Sequence, residues 1–187
     1  MTERSITSTL SDRLDTPLGP MVLLARDGVL LMRAFDDATD RVARELKVRF
    51  ADADHQPADD PFGLSSRVRA YFAGELSAVE GIDTDSGGSE FQLRVWAELK
   101  SIPCGTTISY GELARRLGNG QAMRAVGLAN GRNPISVVVP CHRVIGADGS
   151  MTGYGGGLAR KIWLLRHEGV ETGRDQGELF SSVPASS

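Results

Sequence analysis

Apolar residues fall along this chain in short runs in some places and at helical intervals in others. Met21-Val22-Leu23-Leu24-Ala25 and Val29-Leu30-Leu31-Met32 are apolar runs joined through Arg26-Asp27-Gly28. Two such runs about an Asp-Gly step predict a β-hairpin. Val42, Leu46 and Phe50 recur at helical spacing within Asp40 to Phe50, and Leu64, Val68 and Phe72 do so nearer the middle. Both stretches predict helices. Ala51 to Phe62 is rich in Asp and Pro and reads as a loop, and residues 1–8 read as frayed. The polar stretch Asp83 to Gly88 is the expected boundary between a first domain, 1–88, and a second, 89–170.

The second region opens with Phe91, Val95 and Leu99 at intervals of four, which predicts a helix. Ser109-Tyr110-Gly111-Glu112 fits a capping box, with Ser109 at the N-cap and Glu112 at the third position. That helix is expected to run to Leu117 and stop at Gly118, and the next to run from Gln121 to Asn130 and stop at Gly131. Two short helices about a Gly-containing turn are a helix-turn-helix candidate, or an ordinary helical hairpin of a core. The small residues Ala122, Ala125, Gly127 and Ala129 favour the first, because they let a backbone approach something closely. Ile135 and Val137-Val138-Val139 read as a buried strand ending at Pro140. Leu158 to His167 predicts a last helix, with Leu158, Ile162 and Leu165 on one face and Arg160, Lys161 and Arg166 elsewhere. Residues 171–187 are polar and Ser-rich, an expected disordered tail. The fold class is α+β: a small N-terminal α/β domain, then a mostly helical, winged helix-turn-helix-like domain.

Composition narrows the function. The 187 residues hold two cysteines, Cys104 and Cys141, too few for a disulfide framework. No stretch is apolar enough to span a membrane, and Met1-Thr2-Glu3-Arg4 lacks the apolar core of a signal peptide. A cytoplasmic protein is expected. The net charge of −3 is unevenly placed: residues 1–90 carry 10 basic against 17 acidic side chains, and residues 91–187 carry 11 against 7. From Pro103 to Val144, Arg115, Arg116, Arg124, Arg132 and Arg143 face Glu112 alone. This is the footprint expected of phosphate contact, or a solvated face with incidental arginines. His55 in the acidic loop reads as a surface residue, and no metal site or cofactor is expected.

Pro140-Cys141-His142-Arg143-Val144 carries the chemistry. A thiol is a useful nucleophile only as thiolate, and a free cysteine titrates near ~8.5. A neighbouring imidazole takes the proton directly or through one water, and adjacency favours the water route for His142. Cys104 lies in a Pro-Cys-Gly turn with no His or Glu near it in sequence and reads as structural.

These five residues resemble the acceptor motif of the O6-alkylguanine-DNA alkyltransferases, the methylated-DNA–protein-cysteine methyltransferases. The resemblance runs from about Phe91 to Gly169. It includes Phe91-Gln92-Leu93-Arg94-Val95-Trp96, Ile108-Ser109-Tyr110, Arg124-Ala125-Val126-Gly127, Asn133-Pro134, Gly153-Tyr154-Gly155-Gly156-Gly157-Leu158 and Leu164-Leu165-Arg166-His167-Glu168-Gly169. It implies irreversible alkyl transfer from O6-alkylguanine, and from O4-alkylthymine, in double-stranded DNA to Cys141, once per molecule, by a protein that is a monomer when free. It assigns Glu168 to orient His142, although a helix-end carboxylate is the ordinary reading of that residue. It makes Tyr110 the phenol that donates to a flipped guanine and Arg124 the finger that fills the vacated stack. Ala125 and Ala129 join Arg115, Arg116 and Arg132 at the DNA. Asn133 becomes the hinge of the acceptor loop, Tyr154 and Gly155 the lid, and Met123 and Val144 further pocket residues, with the backbone of Cys141 and Val144 accepting from the guanine amine. The Gly155-Gly156-Gly157 run suggests a mobile lid. Some relatives bind zinc through N-terminal cysteines; residues 1–90 contain none.

Two other classes compete. One is a binding module, either a sequence-specific winged-helix regulator or an alkyltransferase-like damage binder, and the latter class has another residue, often Trp, where this chain has Cys141. A cysteine hydrolase usually places its nucleophile at a helix N-terminus beside an oxyanion hole, whereas a strand and Pro140 are expected before Cys141.

Overall fold

The structure is a computed structural model, and it describes residues 8–35 and 55–172. The helix expected over Asp40 to Phe50 and nearly all of the expected tail lie outside the described residues. The first half is built on a sheet of four strands. β2 (Met21–Arg26) and β3 (Val29–Phe35) form the expected hairpin. Asp27 and Gly28 both take positive φ, 54° and 81°, as a two-residue turn of the right twist requires. β1 (Thr9–Leu14) pairs antiparallel with β2, and β4 (His55–Pro57) pairs parallel with β1. Neither of these strands was expected. Thr-Leu-Ser-Asp-Arg-Leu buries only its two ends, so its apolar signal is weak.

Helix α1 (Leu64–Phe72) buries Leu64, Val68 and Tyr71. Asp83 to Asp85 runs beside β3: Leu30 N donates to Asp83 O at 2.9 Å and Asp85 N to Leu30 O at 3.1 Å. α2 (Glu90–Lys100) begins at a reciprocal capping box between Ser89 and Gln92. α3 (Tyr110–Arg116) starts at Ser109, whose side chain accepts from Glu112 N. The second half of that expected box is missing, because the Glu112 carboxylate turns to Arg115 and Arg116. α4 (Met123–Gly131) and α5 (Leu158–His167) follow. Two-residue strands β5 (Ile108–Ser109) and β6 (Val144–Ile145) pair parallel and tie the start of α3 to the end of the acceptor turn. One apolar cluster extends from Leu14 and Leu23 through Val95, Leu99 and Ile135 to Leu164.

The expected strand before Pro140 is absent. Ile135 bridges Arg33 of β3, and Ser136 N donates to Arg33 O at 3.2 Å. Val137 then turns left-handed at φ 74°, and Val139 N closes back on Ile135 O at 2.9 Å. The β-branched residues are buried, as their hydrophobicity demands, but as a compact coil rather than an extended segment.

Candidate active site

Local hydrogen bonds fix the nucleophile. Pro140 has φ −82° and ψ 63°, and Cys141 N donates across it to Val139 O at 2.8 Å. This is an inverse γ-turn, for which the proline ring presets φ. Residues Cys141–Arg143 then make one turn of 3-10 helix. Sequence reading therefore misplaced the backbone on both sides of Cys141, and the strand used against a hydrolase is not present. Asn133 braces the loop from inside: its amide nitrogen donates to Val139 O at 2.8 Å and its oxygen accepts from Ile135 N at 3.0 Å. Asn130, on α4, donates to Cys141 O at 3.2 Å. The thiol residue is 4% exposed and packs in the core.

Behind it lies a buried carboxylate with four contacts. Glu168 Oε1 accepts from Tyr71 Oη at 2.7 Å and from Arg143 Nη2 at 2.8 Å, and lies 3.0 Å from His142 Nε2. Oε2 accepts from Arg143 Nε at 2.8 Å. Burial alone would raise the Glu168 carboxyl, but the contacts with His142 and Arg143 hold it well below the usual carboxylate range. An ionised oxygen only accepts, so the proton between Glu168 and His142 belongs to Nε2. Nδ1 then carries the lone pair, and among the described residues it has no hydrogen-bond partner. Burial lowers the His142 pKa, an effect that the Glu168 contact only partly offsets. The ring is thus a neutral base with one free acceptor, next in sequence to the thiol.

Cys104 is held as the thiol. Burial pushes its thiol up, and the nearby Glu168 carboxylate pushes it further. Glu168, remote in sequence, is its neighbour in space. Cys104, Pro140, Arg143 and Lys100 line a cleft of about 460 Å³ behind the acceptor turn.

Several expected positions need correction. Arg143 is buried and forked onto Glu168, with Nη1 on Ile102 O at 2.6 Å, so it is not part of a basic surface. Ala129 is buried, and its carbonyl accepts from Trp96 Nε1 at 2.9 Å, so it does not face outward with Ala125. Lys161 is also buried: Nζ donates to Val144 O at 2.5 Å and Thr152 O at 2.7 Å. Leu158, assigned to the buried stripe, is 41% exposed. Arg115 and Arg116 are exposed but ion-paired with Glu112, and Arg116 also with Glu98. Arg124 and Arg132 are exposed with no carboxylate in ion-pair range among the described residues. Beside them Met123 and Leu128 are 51% and 63% exposed.

The expected lid is held by side chains. Tyr110 Oη contacts Thr152 O and Gly153 O, each at 3.1 Å. Arg160 Nη1 donates to Gly156 O at 3.1 Å and its Nε to Leu18 O at 3.0 Å, with the guanidinium 4.0 Å from the Phe35 ring centroid. The Tyr154 hydroxyl is buried without a partner among the described residues, and Gly155 is exposed. Tyr71, Asn130 and Lys161 are site residues that sequence reading missed, and the role of Arg143 on Glu168 went unread. Only Arg143 carried a signal, its place beside His142.

A neutral imidazole poised on a buried carboxylate beside a core cysteine suits proton removal from a thiol, whatever the electrophile. Comparison with known proteins decides the family. The family described as "6-O-methylguanine DNA methyltransferase, DNA binding domain" matches residues 90–170. A methylated-DNA–protein-cysteine methyltransferase of Shigella flexneri is 48% identical over 164 residues, covering 86% of this chain and 95% of that protein. The chain belongs to the methylated-DNA–protein-cysteine methyltransferase family. A second member, from Mycobacterium leprae, is 47% identical over 156 residues, covering 83% of this chain and 89% of its own. Among solved structures, an O6-methylguanine methyltransferase of Mycobacterium tuberculosis superposes with TM-score 0.73 at 40% identity, over 89% of this chain and 96% of that one. The M. tuberculosis protein in complex with DNA gives 0.72 at 42%, over 86% and 92%. As a member of this methyltransferase family the chain is an enzyme of DNA repair by alkyl transfer, with an N-terminal sheet and a helical C-terminal part.

Proposed function

We propose that this enzyme removes the alkyl group from O6-alkylguanine, and from O4-alkylthymine, in duplex DNA by irreversible transfer to Cys141. The observation that carries this reading is the buried Cys141-His142 pair with Glu168 behind it. The S–H proton passes to His142 Nδ1 through a water. The thiolate attacks the alkyl carbon in line, the C–S bond forms as the C–O6 bond breaks, and the proton held by His142 returns through water to the departing base. A thioether is stable in water, so each molecule acts once. A thiol in the core cannot reach a base within a stacked duplex, so the damaged nucleotide rotates out, at a few kcal/mol. Arg124, exposed near the start of α4, fills the gap, and Ala125 allows close approach to the groove. Arg132, Arg115 and Arg116 supply phosphate contacts. Tyr110 orients the base, and Val144, Met123, Asn133, Tyr154 and Gly155 shape or brace its pocket. Double-stranded DNA is the partner of a monomeric, cytoplasmic protein.

The test is mass spectrometry after incubation with duplex DNA carrying O6-methylguanine. One methyl mass on the Cys141 peptide is expected, lost in Cys141→Ser and kept in Cys104→Ser. Label on Cys104, or many turnovers per molecule, would refute the reading.

A further inference from the structure

Tyr71 lies 97 residues before Glu168, yet its hydroxyl sits 2.7 Å from Oε1 in the core. It occupies the last turn of α1, and its position is held independently of that bond. The ring meets His167 edge-on at 5.2 Å and Phe72 at 5.4 Å, and the Tyr71 carbonyl accepts from His167 Nε2 at 2.7 Å. Glu168 is likewise held without the phenol, because Arg143 grips both carboxylate oxygens. What the phenol adds is a third donor on Oε1, beside those of His142 and Arg143. Each donor stabilises the ionised carboxylate and lowers its basicity, so each weakens the pull on the others.

We propose that Tyr71 is a positioning residue for alkyl transfer, its hydroxyl sharing Glu168 Oε1 with His142 and so setting how firmly that oxygen holds the imidazole N–H. This rests on the reading of His142 as the acceptor of the Cys141 proton. With the phenol in place, Oε1 pulls less on His142 and the imidazole stays neutral. Without it, more charge falls to His142, the imidazolium is stabilised, and the thiolate–imidazolium pair is more populated.

Other ionisable groups face the cluster and stay constant between the variants below. Arg143 and Cys141 come from the acceptor turn, Cys104 from the turn after α2, and Lys161 and His167 from α5. Arg33 of β3 lies in the field of Tyr71 from the sheet side.

The experiment uses the full chain labelled with 15N-histidine. The titration midpoint of His142 is read by NMR in the parent, in Tyr71→Phe, and with 3-fluorotyrosine at position 71. Fluorination makes the hydroxyl a stronger donor with almost no change in shape, so it remains informative if Tyr71→Phe folds poorly. The midpoint is expected to rise by about half a pH unit in Tyr71→Phe and to fall with 3-fluorotyrosine. Modification of Cys141 by iodoacetamide should be about threefold faster than in the parent for Tyr71→Phe in mild acid, the ratio tending to one in alkali. Unmoved midpoints in both variants, or equal slowing at every pH, would show that Tyr71 only packs. Failure of the parent to take up methyl from methylated duplex would instead overturn the functional reading and leave these midpoints standing.

Discussion

Lys161 Nζ donates to Val144 O at 2.5 Å from a side chain that has no exposed surface. The same ammonium holds Thr152 O, so one buried cation spans the end of the acceptor turn and the start of the expected lid. Val144 O is thus engaged before any base arrives, as Cys141 O is by Asn130. Each carbonyl has a second lone pair, and it is there that a guanine amine would donate.

Burial lowers the Lys161 pKa to about 8. The unfolded chain keeps this proton to about pH 10.4. Between the two values the unfolded state binds more protons, so this group makes stability rise with pH. The rise amounts to at most about 3 kcal/mol. Urea unfolding at a series of pH values should show it in the parent and not in Lys161→Met. Parallel curves for the two proteins would exclude it.

Glu168→Gln keeps the shape and removes the charge. Arg143 is left buried without its carboxylate, which should destabilise the fold by about 3–5 kcal/mol at neutral pH. The folded pKa of Glu168 is depressed, so its stabilisation is complete above the unfolded value of about 4.3 and fades as pH falls toward the folded value. The deficit of the variant should therefore shrink in acid, as seen by chemical denaturation. Alkyl transfer should fall about a hundredfold with the loss of the oriented base. A variant of parental stability would mean that Arg143 finds another partner.

Arg124→Ala separates binding from chemistry. The side chain is exposed on α4, whereas the Glu168 cluster is buried. Reaction with O6-methylguanine in duplex DNA should slow by about tenfold or more, while reaction with free O6-benzylguanine stays near parental. Equal losses on both substrates would place Arg124 in the transfer step.

The phosphate contacts should be unequal. Arg132 has no carboxylate in range among the described residues, whereas Arg115 already holds Glu112 at 2.5 Å. Each phosphate neutralised adds about 0.9 to the slope of log affinity against log salt. Arg132→Ala should reduce that slope by about one, and Arg115→Ala by clearly less. Fluorescence titrations of duplex DNA across a salt series measure both, and a larger change for Arg115 would reverse the assignment.

Much of this architecture is legible in the chain because local rules dominate there. Asp27-Gly28 dictates its hairpin, Ser109 caps α3 on Glu112 N, and Leu158 to His167 follows its apolar period. The valine run before Pro140 misled because burial and β-branching favour a strand equally well whether or not a partner is available. Here Arg33 offers a single bridge and Val137 turns away. Among site residues, the adjacency of Cys141 and His142 is written in sequence. The Glu168 cage is not, since Tyr71 and Arg143 reach it from separate elements. Lys161 looked like a surface charge because its spacing on α5 gives no hint that two carbonyls await it inside.

The 4% exposure of Cys141 also bears on how the protein keeps before use. Peroxides, disulfides and soluble electrophiles meet thiols that project into solvent, and they oxidise thiolates faster than thiols. Cys141 is buried beside a base that is neutral at rest. A soluble oxidant therefore meets a shielded thiol rather than an exposed thiolate.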